Sequence, residues 1–157
     1  MVFQPMRRQE KALSRDKAEE LLRVAIVGRL GTGGTNGYPL VTPMHFCFHD
    51  DKIILHSALK GNKLDNIKKH SKVCFEIDVL KEILEAPNPC KYSTSYASVM
   101  VFGEAELVIE RANKQYYLKL IAEKYSKQSI DNLGQEQVNK TSVIIINIDH
   151  ISGRFHG

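Results

Sequence analysis

The segment His56-Ser57-Ala58-Leu59-Lys60-Gly61-Asn62-Lys63 holds the side chains best suited to gripping an anion. A strand ends at His56 and Ser57, Gly61 permits a tight backbone, and a helix opens near Asn62 with two lysines beside it. Backbone N–H groups, the positive end of the helix dipole, Ser57 Oγ and the ammonium groups of Lys60 and Lys63 can converge there on a phosphate. The same composition also describes a solvated lysine-rich turn with Asn62 as an ordinary N-cap.

Other clusters say less. His45, Cys47 and His49 stand at i, i+2, i+4 on one strand face, about 7 Å from one to the next, a pattern that suits zinc or copper if further ligands join. The plainer reading packs His45 and Cys47 inside and starts a turn at His49, and no metal is expected. The run from Gly31 to Gly37 fits neither phosphate-loop pattern. Asn36 stands where G-x-G-x-x-G needs glycine, no Gly-Lys-Ser/Thr follows, and a proline-containing strand succeeds it, so it reads as a hairpin turn. Lys68, Lys69, His70 and Lys72 lack interleaved aromatics and read as a solvated helix face, without a nucleic-acid partner.

These residues need elements to position them. Residues 14–25 read as a helix, with Ala18, Leu21, Leu22 and Ala25 on one face and Asp16 and Glu19 spaced as a capping pair. Ile26–Leu30 and Tyr38–Phe48 read as strands joined through Asn36-Gly37, a step that favours positive φ. In the second strand Leu40, Thr42, Met44, Phe46 and Phe48 share one face and Val41, Pro43, His45 and Cys47 the other, both half-buried. Pro39 and Pro43 mark an edge, a bulge or a barrel corner. Further strands are read at Ile53–Ser57, Val73–Asp78, Ala97–Val108 and Val143–Ile148, the last apolar on both faces and so central or set against a second subunit. A short helix anchored by Leu64 and Ile67 and another over Asn113–Tyr125 complete the set; 79–92 read as irregular and 126–141 as a frayed helix or loop. Six strands and three helices, with hairpins joining the early strands, favour an antiparallel β-barrel with peripheral helices.

The chain's 157 residues, 43% of them hydrophobic, fit one domain, 1–157, with 1–13 as an N-terminal arm. Its net charge of +4 suits an anionic small molecule as well as anything larger. Three cysteines without C-x-x-C spacing exclude a disulfide framework or zinc ribbon, and no apolar run approaches a membrane span. Reduced thiols in the cytoplasm are expected.

Four segments together resemble the flavin-binding split-barrel proteins related to pyridoxamine 5′-phosphate oxidase, in the branch that includes nitroimidazole-resistance proteins. They are Met6-Arg7-Arg8, Gly37 to Met44, Ile53 to Ile67, and Ser98 to Gly103; the tail Ile148 to Arg154 resembles the family's ending. The resemblance implies a six-stranded antiparallel split β-barrel, mainly β with peripheral helices, forming a homodimer with FMN at each of two intersubunit sites. It implies that the isoalloxazine ring lies along Val41, Thr42, Pro43 and Met44, that Ser57, Lys60 and Lys63 surround the phosphate, and that His56 lies close to the ring or substrate. Ser98 and Met100 would approach the cofactor from the partner. Ala97 stands where relatives often carry arginine, and the additional basic residues of pyridoxamine phosphate oxidase itself are missing, so B6 oxidation is the lesser expectation. The function implied is an FMN-dependent oxidoreductase that takes electrons from a small-molecule donor and reduces an acceptor such as a nitroaromatic, with His56 as proton donor. The alternative is a non-catalytic flavin- or haem-binding protein, with His150 or His156 as the haem ligand.

Overall fold

The computed structural model describes residues 2–126 and 133–157, so part of the 126–141 segment lies outside the described residues. Eight strands form one antiparallel sheet: β1 (Ala12–Leu13), β2 (Gly28–Thr32), β3 (Leu40–Met44), β4 (Phe46–His49), β5 (Lys52–Ala58), β6 (Lys72–Leu84), β7 (Ser93–Leu107) and β8 (Thr141–His156). The order is β3-β2-β6-β7-β8-β5-β4, with β1 added to β8. The helices are α1 (Arg15–Val24), α2 (Asn62–Lys69), α3 (Arg111–Tyr125) and α4 (Gln135–Asn139). This is the mainly β, open split barrel that the resemblance led to expect, with eight strands and not six, because Tyr38–Phe48 divides and a short β1 adds to β8.

Strands β3 and β4 end the sheet on opposite edges yet follow one another in the chain, separated by His45 alone. The run read as one strand, Tyr38–Phe48, is therefore two. Its first half pairs with β2 and its second with β5. Tyr125, at the end of α3, secures the break: its hydroxyl accepts from Phe46 N at 2.9 Å and lies 2.7 Å from Ile26 O and 3.0 Å from Phe46 O, either of which can take its single proton. Tyr125 thus supplies partners that a continuous ladder would have supplied.

Two cores lie against the sheet. Leu22, Leu30, Phe46, Leu55, Phe75 and Ile144 belong to the larger, where the Phe46 and Phe75 rings meet edge to face at 4.8 Å. Ile54, Ile121, Val143 and Ile145 form the smaller, under α3. Residues 143–146 alternate between the two, which is why that run is apolar on both faces; each buried side chain contributes about 1.5–3 kcal/mol. The uniform apolarity does mark a central strand, flanked by β7 and β5.

Other expectations need correction. Val79–Leu84 is not irregular but continues β6, past a register shift between Leu80 and Glu82; the edge-to-edge pairing with Ser93–Tyr96 holds it extended. β8 runs eight residues past Ile148, to His156, through a bulge at Asp149 that lies opposite the Phe102/Gly103 step. A Cβ on Gly103 would sit 2.2 Å from Asn147 O, so the bulge needs glycine. Helix α1 is capped by Ser14, whose Oγ accepts from Lys17 N at 3.4 Å, and not by Asp16; Glu19 instead pairs with Arg15 and Arg23. Consecutive left-handed residues occur at Asp50 and Asp51, in the two-residue turn between β4 and β5, whereas at Asn36-Gly37 only Gly37 has positive φ. The outer face of β3 is not half-buried: Val41 is 64% exposed and Pro43 and His45 are exposed.

Replacing Tyr125 with Phe removes the hydroxyl that serves Phe46 N and one of two carbonyls, and should lower stability by about 1–3 kcal/mol. Tyr116→Phe is the control, because that hydroxyl meets only the exposed His49, at 3.2 Å; it should shift urea unfolding by less than about 0.5 kcal/mol.

Candidate functional site

The break between β3 and β4 opens a cleft of about 310 Å³. Thr42, Pro43 and Met44 bring the end of β3 to it; His56, Ser57 and Ala58 bring the end of β5; His45 and Lys63 complete it. Six of the ten residues expected at a cofactor site meet here. Lys60 is exposed in the connection before α2, and Val41 is on the outer face of β3; neither lines the cleft.

Ser57 is the telling residue. It is 8% exposed, and its Oγ is buried with no hydrogen-bond partner. Leaving a buried hydroxyl unsatisfied costs about 1–3 kcal/mol, and such groups in native proteins call for an explanation. Four residues on, the chain turns into α2 through Gly61, whose φ of +144° is open to glycine and strained for other residues. Gly61 is the N-cap and offers no side chain, so no side chain caps the helix; Asn62 is the first helical residue and not its cap. An orphaned hydroxyl and Lys63, from the first turn of the helix without a side-chain cap, thus line the cleft together, and among the described residues no carboxylate does. That arrangement has the chemistry to suit an anion.

α2 itself is fixed by Leu64 and Ile67 in the core and by Asn66, a residue sequence reading passed over. Asn66 Nδ2 donates to Thr32 Oγ1 at 3.0 Å, and its Oδ1 accepts from Thr35 N at 3.1 Å, tying the helix to the β2–β3 hairpin. A polar residue between two anchoring apolar ones was the available signal. Tyr125 gave none, because its bond to residue 46 depends on tertiary structure.

His56 stands on the wall between this cleft and an apolar cavity of about 280 Å³ that also touches His45, Ile121, Tyr125 and Val138. Partial burial of the ring lowers its pKa from the ordinary 6.5, and His45 adds to the effect. His56 is therefore mainly neutral at pH 7, able to donate through one ring nitrogen and accept through the other.

His45 is exposed, with its ring 4.4 Å from that of Tyr125, and does not pack inside as expected; His49 turns to Tyr116 instead. Among the described residues no group of three or more His, Cys, Asp or Glu is arranged to hold a metal ion. Burial pushes the Cys47 thiol up, and the Lys124 ammonium beside it, 3.7 Å from the centre of the Phe46 ring and without a hydrogen-bond partner, down to about 8.

Ser98 and Met100 do not reach the cleft of their own chain. They lie on β7, three strand spacings from β3, roughly 14 Å along the sheet. The register Pro43–Arg29–Glu76–Met100–Ser152 runs across five strands and puts Met100 on the same outward face as Pro43. Arg29 faces Glu76 and Asp78 in that row; burial, and then Asp78, raise the Glu76 carboxyl despite it.

Residues 14–155 match the sequence profile of the family described as pyridoxamine 5′-phosphate oxidase. No curated protein matches the sequence. Solved structures do. A Bacteroides thetaiotaomicron protein assigned to 5-nitroimidazole antibiotic resistance is 23% identical, with a TM-score of 0.81 over 90% of this chain and 84% of that one. The flavocytochrome Anf3 from Azotobacter vinelandii is 20% identical, with a TM-score of 0.87 over 98% and 72%. The FAD- and haem-binding protein from Mycobacterium smegmatis is 18% identical, with a TM-score of 0.83 over 92% and 73%. These likenesses establish the fold. No helix among the described residues is long and apolar enough to cross a membrane.

Lys124 predicts a pH signature. Its unfolded pKa of 10.5 exceeds its folded value of about 8, so between them the unfolded chain binds more protons and stability rises with pH. Lys124→Met keeps the alkyl stem and removes the charge. Thermal melts should show the variant more stable at pH 7, with the gap narrowing as pH rises towards 10.5.

Proposed function

The chain belongs to the pyridoxamine 5′-phosphate oxidase family, and we propose that it is a flavoprotein that binds FMN in the cleft at the β3–β4 break and reduces a small-molecule acceptor such as a nitroaromatic. The observation that carries this reading is Ser57: a buried hydroxyl without a partner, beside an uncapped helix start and a lysine, fits a phosphate monoester. Lys60, exposed beside the cleft, adds long-range attraction. Two similar structures, a flavocytochrome and an FAD- and haem-binding protein, hold flavin on this fold and support the reading.

When bound, FMN supplies hydride and single-electron transfer. The protein's own part is to bind and orient. Ser57 Oγ, the first N–H groups of α2 and Lys63 hold the phosphate. The backbone of Val41 to Met44 would hold the flavin ring, and its N–H donors would favour negative charge there. Pro43 is tolerated there because an edge strand leaves half its backbone groups unpaired. His56 faces the acceptor and delivers a proton from its ring nitrogen. Because its pKa lies below 6.5, the imidazolium that does so is a minor form at pH 7 and a stronger acid for it.

Within one chain Ser98 and Met100 cannot reach the cleft, so their part requires a second copy. A homodimer that covers the outward row with Val41, Pro43 and Met100 supplies them and buries apolar side chains that are otherwise exposed. The three cysteines are free thiols, which suits the cytoplasm. A haem reading is less favoured here, since His156 Nδ1 meets Lys11 Nζ at 2.5 Å and the His150 ring stacks 4.6 Å from Phe3.

The first test is the visible spectrum after incubation with FMN and gel filtration. The reading expects the two bands of oxidised flavin to stay with the protein, and a colourless protein would refute it. Lys63→Ala should weaken FMN by about 1.5–3 kcal/mol, roughly ten- to a hundredfold, and riboflavin little, since only FMN carries the phosphate. Equal losses for both would remove the phosphate from this end. With flavin retained, turnover should fall as pH rises through a value below 6.5, and His56→Ala should erase that limb of the profile.

A further inference from the structure

The break at His45 brings two imidazoles together. In the β4–β5 ladder Phe46 faces Leu55 and Cys47 faces Ile54. One more step of the same register sets His45 opposite His56, and opposed residues of antiparallel strands share a face, with Cβ atoms about 5 Å apart. The cavities agree with that placement. His45 and His56 line both the cleft of about 310 Å³ and the apolar cavity of about 280 Å³, and among the described residues they alone line both. Spacing along the chain groups His45 with Cys47 and His49, yet His49 turns to the Tyr116 hydroxyl at 3.2 Å. The partner of His45 comes from β5.

Tyr125 backs the pair. Its ring lies 4.4 Å from that of His45, and its hydroxyl is bonded to the backbone on both sides of the break, at Phe46 and Ile26. The charge around the two rings is one-sided. α2 contributes Lys63 and α3 contributes Tyr125, while α4 and β8 contribute only the uncharged Gln137, Val138 and Thr141; among the described residues no Asp or Glu lines either cavity. A proton on one imidazole therefore opposes a proton on the other, with no carboxylate to offset it. The His56 ring responds in that direction, held below 6.5 first by burial and then by His45.

We propose that His45 is a positioning residue for acceptor reduction, paired with His56 across the strand break so that its charge loosens the proton that His56 gives to the acceptor. Electrons come from the flavin of the reading above, on which this role rests; the pairing itself needs no flavin. The proton passes from a ring nitrogen of His56 to the acceptor, and the neutral ring, which is open to solvent, takes the next one from water. A loosely held proton makes the stronger acid, at the cost of a smaller protonated fraction near pH 7.

The test is a proton NMR titration of the histidine ring signals in the flavin-free, full-length protein, with His56 assigned by its loss in His56→Ala. His45→Gln should move the His56 midpoint up. His45→Lys, which keeps a positive charge without the ring, should leave the midpoint at or below its original value, and His49→Gln should not move it. A midpoint unmoved in His45→Gln, or moved alike by Gln and Lys, would overturn the pairing. In the FMN-loaded protein with a nitroaromatic acceptor, the falling limb of the turnover profile should move up in His45→Gln together with the NMR midpoint. A limb that stays while the midpoint moves would overturn the positioning role. No turnover in the unsubstituted protein would remove the flavin reading and that role with it, while the NMR result decides the pairing by itself.

Discussion

Everything distinctive in this fold depends on the backbone at His45. One residue carries the chain from the last strand on one edge of the sheet to the last strand on the other. A sheet whose edges are linked so closely must curl almost into a barrel, yet it does not close, because the two strands are consecutive and cannot lie side by side. The polar backbone groups exposed by that failure need partners, and the Tyr125 hydroxyl provides them from a helix end. A seam held by a side chain and not by a ladder leaves room beside it. The cleft is that room.

Chemistry gathers at the seam for the same reason. Strand ends and helix starts carry unpaired backbone groups, and here the end of β5 is joined by three residues to the start of α2, through Gly61 at a positive φ that only glycine adopts without strain. Burial then sets the character of each group. It keeps Ser57 from water, depresses the His56 imidazolium and strips Lys124 of solvent.

Much of this was legible in the amino-acid order. Period-two apolar runs located the central strands, the all-apolar run at 143–146 announced a strand buried on both faces, and the His56 to Lys63 segment identified both strand end and helix start. What stayed hidden depends on tertiary pairing. Val79–Leu84 has no strand pattern of its own and is extended because Ser93–Tyr96 lies beside it. The division at His45 is invisible because the alternation of faces continues through it undisturbed, Phe46 and Phe48 pointing inward as Met44 does. Of the residues expected at a cofactor site, Thr42, Pro43, Met44, His56, Ser57 and Lys63 converge on one cleft; Ser98 and Met100 stand apart because sheet order, not sequence distance, separates them.

The place of β8 in the sheet bears on how the chain acquires its shape. Without residues 141–156 the other long strands fall into two groups that share no ladder, the meander β3-β2-β6-β7 and the hairpin β5-β4, tied by the chain alone, at His45 and through α2. β8 alone lies between them, and it also accepts β1 through Ala12–Arg154 and Leu13–Gly153. On the ribosome, therefore, this protein emerges as two halves of a sheet that cannot be sutured until its sixteen-residue final strand has been made. Until then the flanks of β7 and β5 are open, and a nascent chain stalled before residue 141 would present both of them to chaperones or to its neighbours.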